Sequence, residues 1–395
     1  MNKIGFYAGS FDPFTRGHLS IVCEALCQFD RVIVAVGHNP AKKASFSVEE
    51  RKKMISDSLR DLADSADYLE LNGDQFSAAE NRAMARFRKD NSVVSIIDYE
   101  DLTIDAALHA GAESLIRGER IIGDHDAEMQ LSILNAHLLE ARHRHLNTVI
   151  IPVPKESLTY VSSSCVKSLF EMGEYITAMR FVTPSVHNAM CRKYLRKDLP
   201  AQYFMQGDSQ KTEYVYAYLA EAYGAPGRSY HNLSHVAYCL NYLGFLEKMH
   251  PGYFRDVNIL KLALFFHDIV NGEENSEEKS ADRLLYLAES DSAEILQAAN
   301  LIRATKHEDA VSPDSAEAKV MHDLDLLILA DGRNYGHYAE QVFREYIPKC
   351  GRDAYAEGRR KFLKKLLKQK IFCHEFFEPL EEDARRNVKK ELALW

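Results

Sequence analysis

Apolar residues in the first half of the chain follow two alternating rhythms. Short, almost continuous runs such as Arg31-Val-Ile-Val-Ala-Val36 and Asn147-Thr-Val-Ile-Ile-Pro-Val153 suit strands buried on both faces. Between them lie helix-spaced stripes, the first made by Ile21, Val22, Ala25, Leu26 and Phe29. Strands are expected near 3–8, 31–36, 93–97, 113–116 and 147–152, and their alternation with helices predicts a parallel sheet wrapped on both sides. The pattern breaks in RKDLPAQYFMQGD, where Pro200 and Gly207 punctuate the chain. Beyond it every segment is helix-periodic: 211–223, 233–248, 256–270, 277–289, 292–304, 315–330, 335–346, 354–370 and 380–392. The expected organisation is an α/β domain over 1–197, a linker over 198–208 and an all-α domain over 209–395.

Composition narrows the classes. A chain of 395 residues is too long for one ordinary core, and 46% apolar with 27% charged residues describes a soluble globular protein. The formal charge of −9 gives no general case for nucleic-acid binding, so any polyanion must be met by a local cluster. No apolar run is long enough to span a bilayer and the first residues lack a signal-peptide pattern, so no membrane association and a cytoplasmic location are expected. The seven cysteines are scattered and odd in number, with Cys23 and Cys27 placed as small core residues of the first helix.

The first half carries its chemistry at strand ends. Gly9 to His18, GSFDPFTRGH, joins the first strand to the first helix. Gly9 and Gly17 allow close approach of the backbone, and the open N–H groups of a helix start attract anions. Lys42 and Lys43 stand on the loop before a capping box, Ser47-x-x-Glu50. Arg117-Gly-Glu-Arg120 follows the fourth strand and leads to a helix with Glu128, and Tyr160-Val-Ser-Ser-Ser164 follows the fifth. In a parallel sheet wound by helices such segments converge on one crevice.

These stretches, with NPAKKASFSVEER, LIRGERIIGDHDAEMQLSILN, YVSSSCVKSLF and TPSVHNAM, resemble bacterial phosphopantetheine adenylyltransferase, of the nucleotidyltransferase superfamily marked by (H/T)-x-G-H. The likeness covers residues 1 to about 196 and implies a Rossmann-like nucleotidyltransferase fold, usually a homohexamer. It implies transfer of AMP from ATP, with Mg2+, to 4′-phosphopantetheine, giving dephospho-CoA and pyrophosphate. Ser10, Phe11 and His18 would line the ATP phosphates. Gly118, Glu119, Arg120, Glu128, Leu158, Thr159, Tyr160, Val161, Ser162, Ser163 and Ser164 would hold the rest of ATP. Ser10, Lys42, Thr103 and Arg117 would meet phosphopantetheine, and His18, Lys42 and Arg117 would stabilise charge at the α-phosphate. The chain departs from the family in a longer stretch between Asp67 and Tyr99, in Thr103 where an apolar residue is common and in Glu119 where Leu is usual. These departures point to tuning of the acceptor pocket or of subunit packing, and they leave nicotinamide mononucleotide as an alternative acceptor.

The second half places histidines and carboxylates on separate helices. Tyr230-His-Asn-Leu-Ser-His235, Leu262-Ala-Leu-Phe-Phe-His267-Asp268 and His322-Asp-Leu-Asp325 form a nitrogen and oxygen ligand set for a divalent ion. This half resembles the HD superfamily of metal-dependent phosphohydrolases, and more closely a small group with YHN-x-x-H, HD, Glu277-Glu-Lys-Ser280-Ala, Thr305-Lys-His307, DLD and Arg344-Glu-Tyr346. By that resemblance His235, His267 and Asp268 bind Mn, Fe, Co or Mg, with Asp323 or Asp325 completing the set. The YHN-x-x-H spacing is also similar to that of cyclic-nucleotide phosphodiesterases, which makes His231 the candidate general acid. Glu277, Glu278 and His307 are candidates for supporting or second-metal roles, and Ser276 replaces the group's Asn. The alternative is a metal-bound regulatory or oligomerisation module without turnover.

Overall fold

The computed structural model describes residues 3–38, 43–65, 76–119, 122–153, 161–204, 209–306 and 314–395, apart from the side chains of 122–129, 131 and 209. The chain divides between Met190 and Cys191 into two compact units.

In the first unit five strands, β1 Ile4–Gly9, β2 Arg31–Gly37, β3 Val94–Tyr99, β4 Ser114–Glu119 and β5 Asn147–Pro152, form one sheet in the order β3-β2-β1-β4-β5. Every pairing is parallel, so all strands end at the same edge. The winding direction reverses between β1 and β4, which opens a crevice beyond their carboxyl ends. Helices α1 Arg16–Leu26, α2 Val48–Asp64, α3 Ala78–Lys89, α4 Thr103–His109, α5 Ile122–Ala141, α6 Ser163–Met172, α7 Tyr175–Met179 and α8 Pro184–Tyr194 complete the order.

The apolar runs are explained by burial on both faces. Phe6, Ile33, Ala35 and Leu115 pack with Ile104, Ala107 and Leu139 on one side. On the other, α1 packs against the end of β4, where a Cβ on Gly118 would stand 2.1 Å from Ile21 Cδ1, and within the sheet one on Gly5 would stand 2.5 Å from Ile116 Cδ1 of β4. A side chain at Gly118 would require Ile21 to move.

The lengthened stretch after Asp67 contributes α3, whose Ala79, Ala83 and Met84 are buried. The guanidinium of Arg86 donates to the carbonyls of Leu26, Phe29 (3.0 Å) and Asp30 (2.7 Å), occupying acceptors at and beyond the last turn of α1. A cation at a helix carboxyl end is favoured by the dipole as well as by the hydrogen bonds. The described part of the insertion thus braces the helix that begins at the glycine-rich turn.

The second unit contains α9 Ser209–Ala222, α10 Leu233–Met249, α11 Val257–Phe266, α12 Ser276–Ala288, α13 Ala293–Arg303, α14 Ala316–Leu326, α15 Tyr335–Cys350, α16 Arg352–Lys368 and α17 Glu381–Leu392, with no strand among its described residues. Short 3-10 turns at Leu195–Asp198 and Ala201–Tyr203 lead into and through the described part of the stretch expected as a linker, whose residues 205–208 lie outside the described residues. Leu195, Leu199 and Phe204 are buried, and the Tyr203 hydroxyl donates to Asp256 at 2.9 Å. Pro200 marks a turn between packed apolar residues. Among the described residues no helix is long and apolar enough to cross a membrane.

His187 of α8 gives the first unit an acid-sensitive point. Its ring is buried, and its Nε2–H donates to the Tyr175 carbonyl at 3.0 Å. Burial holds the imidazole pKa down at about 4. Its contribution to stability is complete above the unfolded value near 6.5 and is lost as pH falls toward 4. Urea titrations at pH 7 and pH 5 should show a loss of about 2 kcal/mol from this group, and His187→Gln should flatten that difference.

Candidate functional site

The glycine-rich turn is fixed from several directions by buried charges. Asp12 is 6% exposed, and its carboxylate accepts the N–H groups of Ser45 and Phe46, both at 2.9 Å, and the Lys167 ammonium at 3.0 Å. Arg51 is 4% exposed and donates to the carbonyls of Ser10 at 2.7 Å and Gly37 at 3.2 Å. The Ser163 hydroxyl donates to the Pro13 carbonyl at 2.8 Å. Loops that follow β1 and β2 and the helix that follows β5 are therefore stitched together at one point. Asp12 and Arg51 were not marked out by motif spacing. The available signal is that Arg51 occupies the buried stripe of α2, in line with Met54, Ile55, Ser58 and Leu59.

Thr15 caps α1 in a reciprocal arrangement with His18. The Thr15 N–H donates to His18 Nδ1 at 3.0 Å, while the His18 N–H donates to Thr15 Oγ1 at 3.4 Å. With Nδ1 accepting, the proton of the neutral ring resides on Nε2. Phe11 and Phe14 pack against this ring at 5.1 and 5.5 Å. Phe11 holds φ at +48°, a left-handed conformation costly for a bulky residue, and its ring is buried beside Tyr7 and Phe14.

The other first-half candidates divide by position. Arg117, Gly118 and Glu119 close β4, which runs beside β1 with Tyr7 opposite Ile116. Val161 is buried, Ser162 caps α6 by accepting the Cys165 N–H at 3.0 Å, and Ser164 is exposed. Thr103 opens α4 with its hydroxyl 3.0 Å from that of Tyr99. Lys42, Arg120, Leu158, Thr159, Tyr160 and the side chain of Glu128 lie outside the described residues. Donor groups at a helix start, an imidazole with a fixed tautomer and Arg117 at the neighbouring strand end make this edge suited to an anionic ligand.

In the second unit His235 of α10, His267 and Asp268 after α11 and Asp325 of α14 meet around one point. The two Nε2 atoms are 3.0 Å apart. Asp325 Oδ1 is 3.0 Å from His235 Nε2 and 3.5 Å from His267 Nε2, and Asp268 Oδ2 lies 3.6 and 3.2 Å from the same atoms. His267 Nδ1 is 2.9 Å from the Leu264 carbonyl, which can only accept, so Nδ1 carries the proton and Nε2 turns a lone pair inward. His235 Nδ1 is held 3.0 Å from the Tyr230 hydroxyl. Two imidazole nitrogens and two carboxylates converging with no cationic side chain among them fit a divalent cation.

Of the two carboxylates offered for the fourth position, Asp325 stands in this cluster and Asp323 does not. Asp323 is fully buried and accepts the N–H groups of Cys373, at 2.8 and 2.9 Å, and His374, at 2.7 Å. It braces a turn on the other side of α14.

His231 stands beside the cluster with Nδ1 2.8 Å from Glu345 Oε1. Glu345 is 1% exposed and also accepts the N–H groups of Tyr230 (2.9 Å) and His231 (3.1 Å) and the Asn271 amide (2.7 Å). Burial alone would raise its pKa, but His231 and these donors hold it at about 2. Burial opposes protonation of His231, and Asp268 and Glu345 outweigh it, raising its pKa above the ordinary histidine value. Arg228 donates to the carbonyls of His231 (3.0 Å), Asp268 (2.6 Å) and Ile269 (2.7 Å), tying the segment before α10 to the one after α11. Arg228 and Glu345 escaped sequence reasoning as site-shaping residues, although Glu345 lies inside the Arg344-Glu-Tyr346 motif. Glu277 faces a cavity of ≈ 470 Å³ that also exposes His231, Asp268 and Asp325, whereas Glu278 pairs with Arg303 at 2.8 Å. Ser276 donates to the Glu273 carbonyl at 2.7 Å and so serves its own helix start. His307 lies outside the described residues.

The family model described as cytidylyltransferase-like matches residues 6–169. The phosphopantetheine adenylyltransferase of Rhizobium rhizogenes is 35% identical over 188 residues, covering 48% of this chain and 94% of that protein. Its counterpart in Porphyromonas gingivalis is 33% identical over 175 residues, or 44% and 92% of the two chains. That of Bradyrhizobium diazoefficiens is 32% identical over 194 residues, or 49% and 99%.

The different surroundings of the two α14 carboxylates are separable by experiment. Asp325→Ala should abolish stoichiometric Mn2+ binding while leaving the melting temperature of the metal-free chain nearly unchanged. Asp323→Asn should retain the metal but lower stability by about 2 kcal/mol, because buried amides lose a charged acceptor. Metal analysis after dialysis, with thermal denaturation, checks both.

Proposed function

Through its first half the chain belongs to the phosphopantetheine adenylyltransferase family, and from that membership we propose that this half transfers AMP from ATP to 4′-phosphopantetheine, releasing pyrophosphate and forming dephospho-CoA. The observation that supports it most is near-complete coverage of adenylyltransferase relatives, combined with a histidine of fixed tautomer on the first turn of α1. The acceptor phosphate is already an anion at neutral pH, so no general base is required. The work is to hold two polyanions in line and to stabilise charge at the α-phosphate. His18 Nε2–H and the first amides of α1 serve the ATP phosphates, and Arg117 from the adjacent strand end meets the acceptor phosphate. Mg2+ bound with ATP would neutralise the departing pyrophosphate.

We further propose that the second half is a metal-dependent phosphohydrolase of the HD type. The supporting observation is the inward-facing His235, His267, Asp268 and Asp325 beside a His231 whose protonated form is favoured. When bound, the divalent ion would polarise a phosphoryl oxygen and acidify water. His231 then gives its proton to the leaving oxygen, and Glu345 and Arg228 keep its ring and its loop in place.

Pyrophosphate release should be faster with 4′-phosphopantetheine than with nicotinamide mononucleotide; the reverse order would refute the acceptor. His18→Ala should cut kcat by about 10² to 10³ with little change in KM. For the second half, His267→Ala should remove both metal and phosphatase turnover, and metal binding without any turnover would leave a binding module. Glu345→Gln removes the charge that favours imidazolium, so the alkaline limb of the hydrolase rate profile should move to lower pH.

A further inference from the structure

The ≈ 470 Å³ cavity beside the cluster has a mixed lining, in which Tyr338, Tyr355 and Arg359 stand among apolar side chains. From Asp268, Asp325 and His231 it continues along Leu326, Leu329, Val342 and Phe362. Its charges are already balanced. Asp268 and Asp325 would cancel a dication, His231 faces Glu345, and Arg359 donates to both oxygens of buried Glu391 at 2.9 and 3.0 Å. His231 and Arg359 are the only cationic side chains among the described residues lining the cavity, while Glu277 adds a further carboxylate. The additional phosphates of a polyphosphate would have no cationic partner there, and burying them unpaired is costly.

One wall carries a second, independent feature. Gly358 lies inside α16, where glycine costs roughly 0.5 to 1 kcal/mol relative to alanine. A Cβ at this position would meet nothing within 4 Å, so neither packing nor backbone conformation demands glycine. It is exposed and stands among the residues lining the cavity.

We infer that this cavity takes a phosphate ester with a single phosphoryl group and an uncharged, apolar or aromatic body, lodged along Leu329, Val342 and Phe362 and admitted past Gly358. The inference rests on the phosphohydrolase reading for its chemistry and on the cavity for its selectivity. Hydrolysis forms one bond from a water oxygen to phosphorus and breaks the bond from phosphorus to the ester oxygen. That oxygen takes the proton of His231, and the proton lost by the water restores the ring.

The chain loaded with Mn2+ provides the test, with phenyl phosphate as substrate, benzylphosphonate as a non-hydrolysable ligand and inorganic pyrophosphate as the competitor with two phosphoryl groups. Phenyl phosphate should be cleaved with kcat/KM at least about tenfold above pyrophosphate. Gly358→Phe should raise its KM about tenfold or more with kcat nearly unchanged, and weaken benzylphosphonate binding in calorimetry by a similar factor. Phe362→Asp is a second variant should the first fail to retain metal, and neither should alter pyrophosphate release by the first half. Preferred cleavage of pyrophosphate, or benzylphosphonate binding and KM indifferent to both substitutions, overturns the inference and leaves the hydrolase reading standing. Benzylphosphonate binding that both substitutions weaken, without cleavage of any ester, supports the cavity's selectivity and sinks the hydrolase reading alone.

Discussion

A charge removed from water keeps its place only where each proton or lone pair it carries meets a partner, and that condition orders both halves of this chain. In the first unit Asp12 and Arg51 satisfy themselves on backbone groups of the loops after β1 and β2. In the second, Arg228 does so on the carbonyls of His231, Asp268 and Ile269, and Glu345 on the amides of Tyr230 and His231. In every case backbone groups are among the partners, so each buried charge fixes a segment of chain beside a candidate site residue. Breaking one partner would leave a buried charge uncompensated, which makes these arrangements nearly all-or-none.

What could be read from the sequence follows from the same physics. The strands declared themselves because burial on both faces demands continuous apolar runs, and β1 to β5 fall within a few residues of the positions read from Ile4, Val32, Val94, Leu115 and Val149. His235, His267 and Asp268 were visible because polar residues interrupt strongly apolar helices. Asp12, Arg51 and Arg228 carried no such mark: a lone charge has the same appearance whether solvated or enclosed, and only the fold decides which carbonyls surround it. Asp323 and Asp325 illustrate the limit. Two residues apart on a helix they point to nearly opposite sides, so spacing shows that only one can join the cluster and not which. Around Pro200 a related limit applies, since proline and glycine signal a turn but say nothing of whether Leu199 and Phe204 beside it are buried.

On the functions proposed for them, the two units would meet phosphate by opposite electrostatic routes. The first relies on permanent donors: amides at the start of α1, a ring whose Nε2 proton is fixed by Thr15, and arginine at a strand end. Such a site is complete without an ion of its own, and its demands fall on loop geometry, which the Asp12 and Arg51 contacts supply. The second unit gathers carboxylates and imidazole lone pairs that attract a cation and repel a phosphate. Without a dication it has no electrostatic reason to receive an anionic ester, and with one its charge is only balanced.

That difference bears on selectivity. Where surplus positive charge lines a cleft, each additional phosphate gains binding energy, and recognition favours polyphosphates almost regardless of what they are attached to. Where the charge is only neutralised, a second phosphate gains nothing and pays desolvation, so discrimination passes to the apolar walls. Gly358 fits this account because its smallness serves no fold purpose and shapes the wall instead. The rigid charge pairs behind that wall, Arg359 with Glu391 and His231 with Glu345, then act less as binding groups than as limits on what charge the cavity accepts.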